Sequence, residues 1–248
     1  MKKLLTIILL FSSSSLVAQN LHYFRINLGP KYESYKVSGN DEVNALFHMD
    51  AGASIYLGKR FTENVYAEVG LLKNDYSAKF DVTTMGLGNR EYRWFNQDLY
   101  PTFSSTQVAL NVGWRQPYAQ KVSFYGSAGF QLFLSKKLRR EGSQQHTRES
   151  VEEVNGAKET IDLYTFSNGF EGGNVLFRAD VGTFIQVSKS LFVDLGFTAR
   201  SATDVINEFQ IEYTSFSESE KKTATLRTNG AGFMLNVGVK YQIAKFPK

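Results

Sequence analysis

Apolar and polar residues alternate one by one in several parts of the chain, and the clearest example lies near its end. Between positions 233 and 243 every odd position carries an apolar or aromatic side chain, and the even positions are mostly polar or small. Successive side chains of a β-strand point to opposite faces. The alternation therefore predicts a strand with one apolar face and one polar face.

Seven further segments show the same alternation, so the sequence predicts eight strands in all. The apolar positions of these seven segments span 24–28, 47–57, 65–71, 108–114, 124–134, 175–185 and 191–199. Pro30 interrupts the first segment, because proline cannot donate to a strand ladder.

Short and long connections alternate between these segments. The short links are 58–64, 116–120 and 188–190. The long ones are 73–101, 136–173 and 201–228, and the first connection, 38–44, is intermediate. Membrane barrels combine short periplasmic turns with long external loops, whereas a soluble β-sandwich has no reason to gather its long loops at one end. The predicted fold class is therefore all-β, an eight-stranded antiparallel transmembrane β-barrel with short periplasmic turns and long extracellular loops.

Charged residues lie on the polar faces of the predicted strands, among glycine, serine and asparagine. The interior of an eight-stranded barrel is only wide enough for side chains, and each charge in it needs a partner. We therefore predict a polar network inside the barrel, with a solvated outer sheet face as the alternative. Its members would be Arg25, His48, Asp50, Glu68, Arg115, Arg178, Asp180, Asp194 and Lys240. Trp114 and Tyr241 lie on apolar faces near strand ends and suit a membrane-interface belt.

The first residues have the pattern of a secretory signal. Lys2 and Lys3 precede a short apolar run, and Ala18 is a small residue at a plausible cleavage point. The run is shorter than the roughly 20 residues that a spanning helix needs. We predict a signal peptide at 1–18, a barrel domain at 19–248, and export to the outer membrane of a Gram-negative bacterium.

Composition excludes several functions. Of 28 Lys and Arg residues two belong to the predicted signal, which leaves 26 against 24 Asp and Glu and argues against a nucleic-acid binder. There is no cysteine and there are three histidines, so we expect no metal centre and no cofactor.

The signal, the eight segments and the alternating connections together resemble the small outer-membrane β-barrel proteins of the OmpA/OmpX-like kind, including the PorT-like branch. The resemblance implies a monomeric barrel in contact with outer-membrane lipid and lipopolysaccharide. It implies a structural or adhesive role, or an accessory role in an envelope complex, with an extracellular ligand or protein partner bound through the external loops. It carries no catalytic motif, so we expect a protein that is not an enzyme.

Two alternatives stay open, and two loop features add to the picture. His48 and Asp50 lie on one predicted strand face and could form the general-base site of a lipid-modifying enzyme. A narrow channel is the other alternative.

A basic cluster where the fifth strand meets its loop could bind lipopolysaccharide phosphates; it consists of Lys136, Lys137, Arg139 and Arg140. Ser150 with Glu153 resembles a capping box and favours a short helix within 147–161.

Overall fold

The computed structural model describes residues 22–85, 91–95, 102–138, 144–152, 158–167, 175–215 and 220–243 of the 248-residue chain. The predicted signal segment lies outside them. No helix of the described residues is long and apolar enough to cross a membrane. The described residues form sixteen β-strands: β1 (Tyr23–Glu33), β2 (Lys36–Ser38), β3 (Val43–Leu46), β4 (Met49–Arg60), β5 (Val65–Ser77), β6 (Lys79–Met85), β7 (Glu91–Phe95), β8 (Thr102–Ala119), β9 (Val122–Leu138), β10 (Gln144–Glu152), β11 (Lys158–Ser167), β12 (Val175–Gln186), β13 (Leu191–Ser201), β14 (Asn207–Ser215), β15 (Lys222–Thr228) and β16 (Gly232–Gln242).

Eight of these strands close into a barrel in the order β1-β16-β13-β12-β9-β8-β5-β4, with β4 pairing back onto β1. All the pairings are antiparallel. The prediction of an all-β fold with a closed, eight-stranded antiparallel barrel is thus confirmed, and each predicted strand corresponds to one barrel strand. β1 continues past Pro30, since the pairing of β1 with β4 keeps one register from Tyr23 to Tyr32.

The apolar face of each barrel strand points outward. On β16, for example, Leu235, Val237 and Val239 are exposed, whereas Met234, Asn236 and Lys240 are buried inside the barrel. Trp114 and Tyr241 also lie on the outer face and are about half exposed. The outer wall is therefore apolar and the interior polar, the reverse of a water-soluble barrel.

At one end of the barrel the connections are tight, as the sequence predicts. They consist of 61–64, 120–121 and 187–190. At the other end the connections are longer, and their described residues form eight strands in two further sheets, β10-β11-β14-β15-β2 and β3-β6-β7, which the sequence does not predict. We call these two sheets the cap.

The prediction of a short helix within 147–161 is wrong for the described part of that segment, because 144–152 pairs with 158–166 as an antiparallel hairpin.

The two sheets of the cap share one hydrophobic core. Its buried side chains come from both sheets and include Phe80 and Trp94 from the smaller sheet and Phe209, Ile211 and Leu226 from the larger one. These strands alternate buried and less buried positions, as in a sheet with one covered face. The cap therefore has a core of its own, separate from the barrel interior.

We expect Phe209→Ala to loosen the cap without opening the barrel. Phe209 is 1 % exposed within the cap core, and removing a buried phenylalanine side chain costs about 3–5 kcal/mol. Limited proteolysis should then cut within 202–231, while the gel mobility of the unheated barrel stays unchanged. Tyr118→Ala, at a position 75 % exposed near the tight turns, is the matched control. Joint loss of the cap and of the folded barrel would contradict a separate cap core.

Candidate functional site in the barrel lumen

The centre of the lumen holds a buried cation between two carboxylates. Arg25 on β1 donates to Glu68 on β5 at 2.7 Å and to Asp194 on β13 at 3.3 Å. The hydroxyl of Tyr23 donates to Glu68, and that of Tyr125 donates to Asp194, both at 2.9 Å. These five residues come from four strands, β1, β5, β9 and β13, so the cluster links opposite sides of the barrel wall.

A second ion pair lies beside the first. Arg178 and Asp180, both on β12, form a two-point contact. Asp180 also accepts hydrogen bonds from Ser127 and Thr198. The Arg25 guanidinium lies 4.6 Å from the centroid of the Tyr56 ring and the Arg178 guanidinium 5.4 Å from it, so both cations contact one aromatic ring. This arrangement satisfies charges that would be costly if buried alone.

Glycines make room for the large lumenal tyrosines. Each of four inward tyrosines is paired in register with a glycine on the neighbouring strand: Tyr23 with Gly58, Tyr56 with Gly70, Tyr66 with Gly113, and Tyr125 with Gly182. A Cβ added at Gly70 would lie 2.3 Å from the Tyr56 ring, and the other three glycines are similarly crowded. The small residues of the polar faces thus allow tyrosine rings to cross the lumen.

The lumen near the tight turns is filled by rings. Tyr23, Tyr66, Tyr125, Phe184 and Phe192 form a buried aromatic cluster there. The Lys240 ammonium lies over the rings of Tyr23 and Phe184, at 3.6 and 4.0 Å from their centroids. Lys240 makes no ion pair with any described residue, so it contacts aromatic faces rather than the charged partner that the sequence predicts. Arg115 lies at the rim of this end, half buried, and donates to Ser123 at 2.8 Å.

A third charged cluster, near the cap, is absent from the predicted network. Glu33 forms an ion pair with Arg200 at 2.7 Å, and its carboxylate lies 3.6 Å from the Lys31 ammonium. The Lys31 ammonium also lies 3.3 Å from the centroid of the Tyr76 ring. The sequence contains a hint of this cluster, because Lys31 and Glu33 occupy odd positions, as Arg25 does, and odd positions of β1 face inward. Pro30, however, favours an end of the predicted strand before these two residues.

His48 and Asp50 do not lie within the central network. The prediction that His48 lies in mid-strand is wrong, because β4 begins at Met49. The two side chains lie at the cap end, with His48 Nε2 3.6 Å from Asp50 Oδ1. The Asp50 carboxylate accepts hydrogen bonds from the backbone N–H of Ser77, at 2.9 Å, and from the Ser77 hydroxyl. Ser77 therefore contacts the acid Asp50, whereas a serine nucleophile activated by a general base would have to contact His48.

The predicted lipopolysaccharide cluster is only partly described. Lys136 and Lys137 belong to β9 at the cap end of the barrel, and Arg139 and Arg140 lie outside the described residues. Among the residues that the structure describes, no group of three or more His, Asp or Glu side chains is placed to hold a metal ion.

Two titratable groups outside the barrel wall have shifted pKa values. Burial, with Glu33 and Asp50 adding to it, raises the pKa of the Tyr35 hydroxyl well above its ordinary value. At the opposite end, burial and then the charges of Arg60 and Lys59 lower the pKa of His22. The His22 Nδ1 accepts the backbone N–H of Arg60 at 2.9 Å, which also favours the neutral imidazole.

No protein-family model and no curated protein matches the chain. Among solved structures, the fold is similar to the crystal structure of the outer membrane protein OprG from Pseudomonas aeruginosa. The TM-score is 0.46 at 10 % identity, with 91 % of this chain and 98 % of that chain covered.

We expect Arg25→Met to destabilise the barrel by about 3–5 kcal/mol, because it leaves Glu68 and Asp194 as buried carboxylates without their cation. Urea unfolding of the protein in lipid vesicles measures the loss. Arg115→Met, which removes a half-buried guanidinium at the rim, should cost much less.

The triple variant Arg25→Met/Glu68→Gln/Asp194→Asn removes all three charges together and should recover part of the lost stability. Equal losses for Arg25→Met and Arg115→Met would show that the central cluster does not hold the wall together.

Proposed function

We propose that the chain is an integral outer-membrane β-barrel of a Gram-negative bacterium that acts without catalysis. Its role would be structural, adhesive or accessory to an envelope complex, with the cap as the part that meets a ligand or partner protein. The observation that carries this proposal is the exposed apolar outer wall, because a closed barrel has no unpaired edge and can present such a wall only to lipid.

Two groups of aromatic side chains on the outer wall support the proposal. Near the tight turns, Phe24 packs on Tyr241 with ring centroids 5.5 Å apart. Near the cap, Tyr32 packs on Phe47 at 4.8 Å and on Phe233 at 5.3 Å. From Phe24 to Tyr32 the strand rises roughly 26 Å, or roughly 20 Å along the axis at a tilt of about 40°. That is near the height of the apolar band of an outer-membrane barrel, which aromatic girdles flank on both sides.

The contents of the lumen favour a structural role over the two alternatives. The central ion pairs and the aromatic cluster are buried, which argues against a channel. Asp50 is engaged by Ser77 rather than aligned behind His48, which argues against a lipid-modifying enzyme. The cap is a folded unit of two sheets, which suits recognition of a ligand or protein better than flexible loops would. The basic cluster at 136–140 would contact lipopolysaccharide phosphates beside it.

The first test is the location of the protein. Expressed with its signal, it should be recovered with outer-membrane fractions and migrate differently on gels before and after heating, because a closed ladder resists detergent until heated. Recovery as a soluble periplasmic protein would contradict the proposal.

The second test addresses the filled lumen. Purified protein in planar bilayers should show little or no steady conductance, since side chains occupy the interior of an eight-stranded barrel. Large stable steps would instead favour the channel alternative, and Asp180→Asn should then change the ion preference of those steps.

A further inference from the structure

The wall of the barrel has a discontinuity between β4 and β5 on the side of the cap. The backbone pairing of these two strands ends at Gly52 and Asn74. Beyond this point β4 continues to pair with β1, and β5 continues to pair with β8 as far as Ser77. Side-chain contacts replace the ladder here: Asp50 on β4 accepts from the Ser77 backbone N–H on β5, and the Lys31 ammonium on β1 donates to the Asp75 carbonyl of β5.

A groove of about 610 Å³ lies on the outer wall at this discontinuity. Its lining comes from β1, β4 and β5 and includes Leu28, Pro30, Ala51, Ala53, Lys73 and Asp75. Most of the lining residues are small or apolar, so the wall is recessed along β1 and β4 beside the discontinuity. A recess of this kind on a lipid-facing surface can take an acyl chain without displacing any side chain.

One cation borders the groove. Lys73 is paired in register with Ala53 and therefore points outward with it, and its side chain is exposed. It makes no ion pair with the described residues. The nearby Asp75 carboxylate accepts a hydrogen bond from Ser104 on β8 at 2.6 Å. Among the residues that the structure describes, no carboxylate lies within ion-pair distance of the Lys73 ammonium, although Asp75 lies two residues further along β5 on the same face.

The height of Lys73 suits a lipid headgroup. Val65 is paired with Trp114 at the level of the lower aromatic group, and Lys73 lies eight residues further along β5. That spacing equals the one from Phe24 to Tyr32, roughly 20 Å along the barrel axis. Lys73 therefore lies near the cap-side border of the apolar band, where lipid phosphates are found.

We propose that this groove binds lipid A of lipopolysaccharide, with the Lys73 ammonium on a lipid A phosphate and an acyl chain along the small residues of β1 and β4. The proposal rests on the proposed membrane location, since only the outer leaflet offers this lipid at the cap end. It is distinct from the predicted basic cluster, of which Lys136 and Lys137 belong to β9.

The test is native mass spectrometry of the full chain in detergent with added bisphosphorylated lipid A. The wild type should retain one lipid A. Lys73→Gln should raise the concentration for half occupancy about fivefold, the effect of one surface cation on an anionic lipid. Ala51→Trp, which fills the groove and keeps Lys73, should also weaken binding. Lys189→Gln in the turn 187–190 and Ala179→Trp on the outer face of β12 are the matched controls and should bind like the wild type.

Lipid A lacking both phosphates should bind to the wild type as weakly as bisphosphorylated lipid A binds to Lys73→Gln. Unchanged binding by Lys73→Gln, equal weakening by Lys189→Gln, or equally tight retention of phosphatidylglycerol would each overturn the lipid A site. Because heat-modifiability of the same samples reports the folded barrel, loss of lipid A binding alone leaves the membrane proposal standing. A wild-type chain that does not enter membranes would overturn both.

Discussion

Closure of β1 onto β16 is the constraint on which the rest of the structure depends. Once the sheet closes, each of its eight strands is paired with a neighbour on both sides. One face of every strand must then point into a narrow interior. The interior cannot hold water in bulk, so its polar side chains must satisfy one another. The pairing of Arg25 with Glu68 and Asp194 follows from this requirement, as does the pairing of Arg178 with Asp180.

Tyrosine and glycine solve the packing problem that this interior creates. A tyrosine ring fills the centre of a small barrel and still offers a hydroxyl to a buried carboxylate, as Tyr23 and Tyr125 do. The ring can lie flat only if the residue opposite has no side chain, which explains the glycines paired with these tyrosines. The Tyr23 ring, together with that of Phe184, also stabilises Lys240, which makes no ion pair with a carboxylate of the described residues.

The cap end differs from the turn end because its connections bury apolar residues of their own. Phe80 and Phe209 come from segments far apart in the chain and are both buried in one core above the barrel. Such a core gives the exposed end a defined surface. Below the cap, the pairing of β4 with β5 ends before either strand does, and a recess lies beside Lys73 at this point. In the proposed complex the acyl chain and the phosphate of lipid A bind here.

The sequence by itself determined the eight barrel strands, the outward direction of their apolar faces and the positions of the tight turns. These features depend on local period-two alternation, which is visible in a single sequence because most outward-facing positions of the barrel strands are apolar. The alternation alone also placed five charged residues on the polar, interior faces of their strands: Arg25, Glu68, Arg178, Asp180 and Asp194. Only the tertiary structure decided which of these charges meet, because their partners lie on strands distant in the chain. It also extended β1 beyond Pro30, moved His48 out of β4 and folded the long connections into the cap. In each of these cases pairing with a remote strand, rather than the local pattern, decides the outcome.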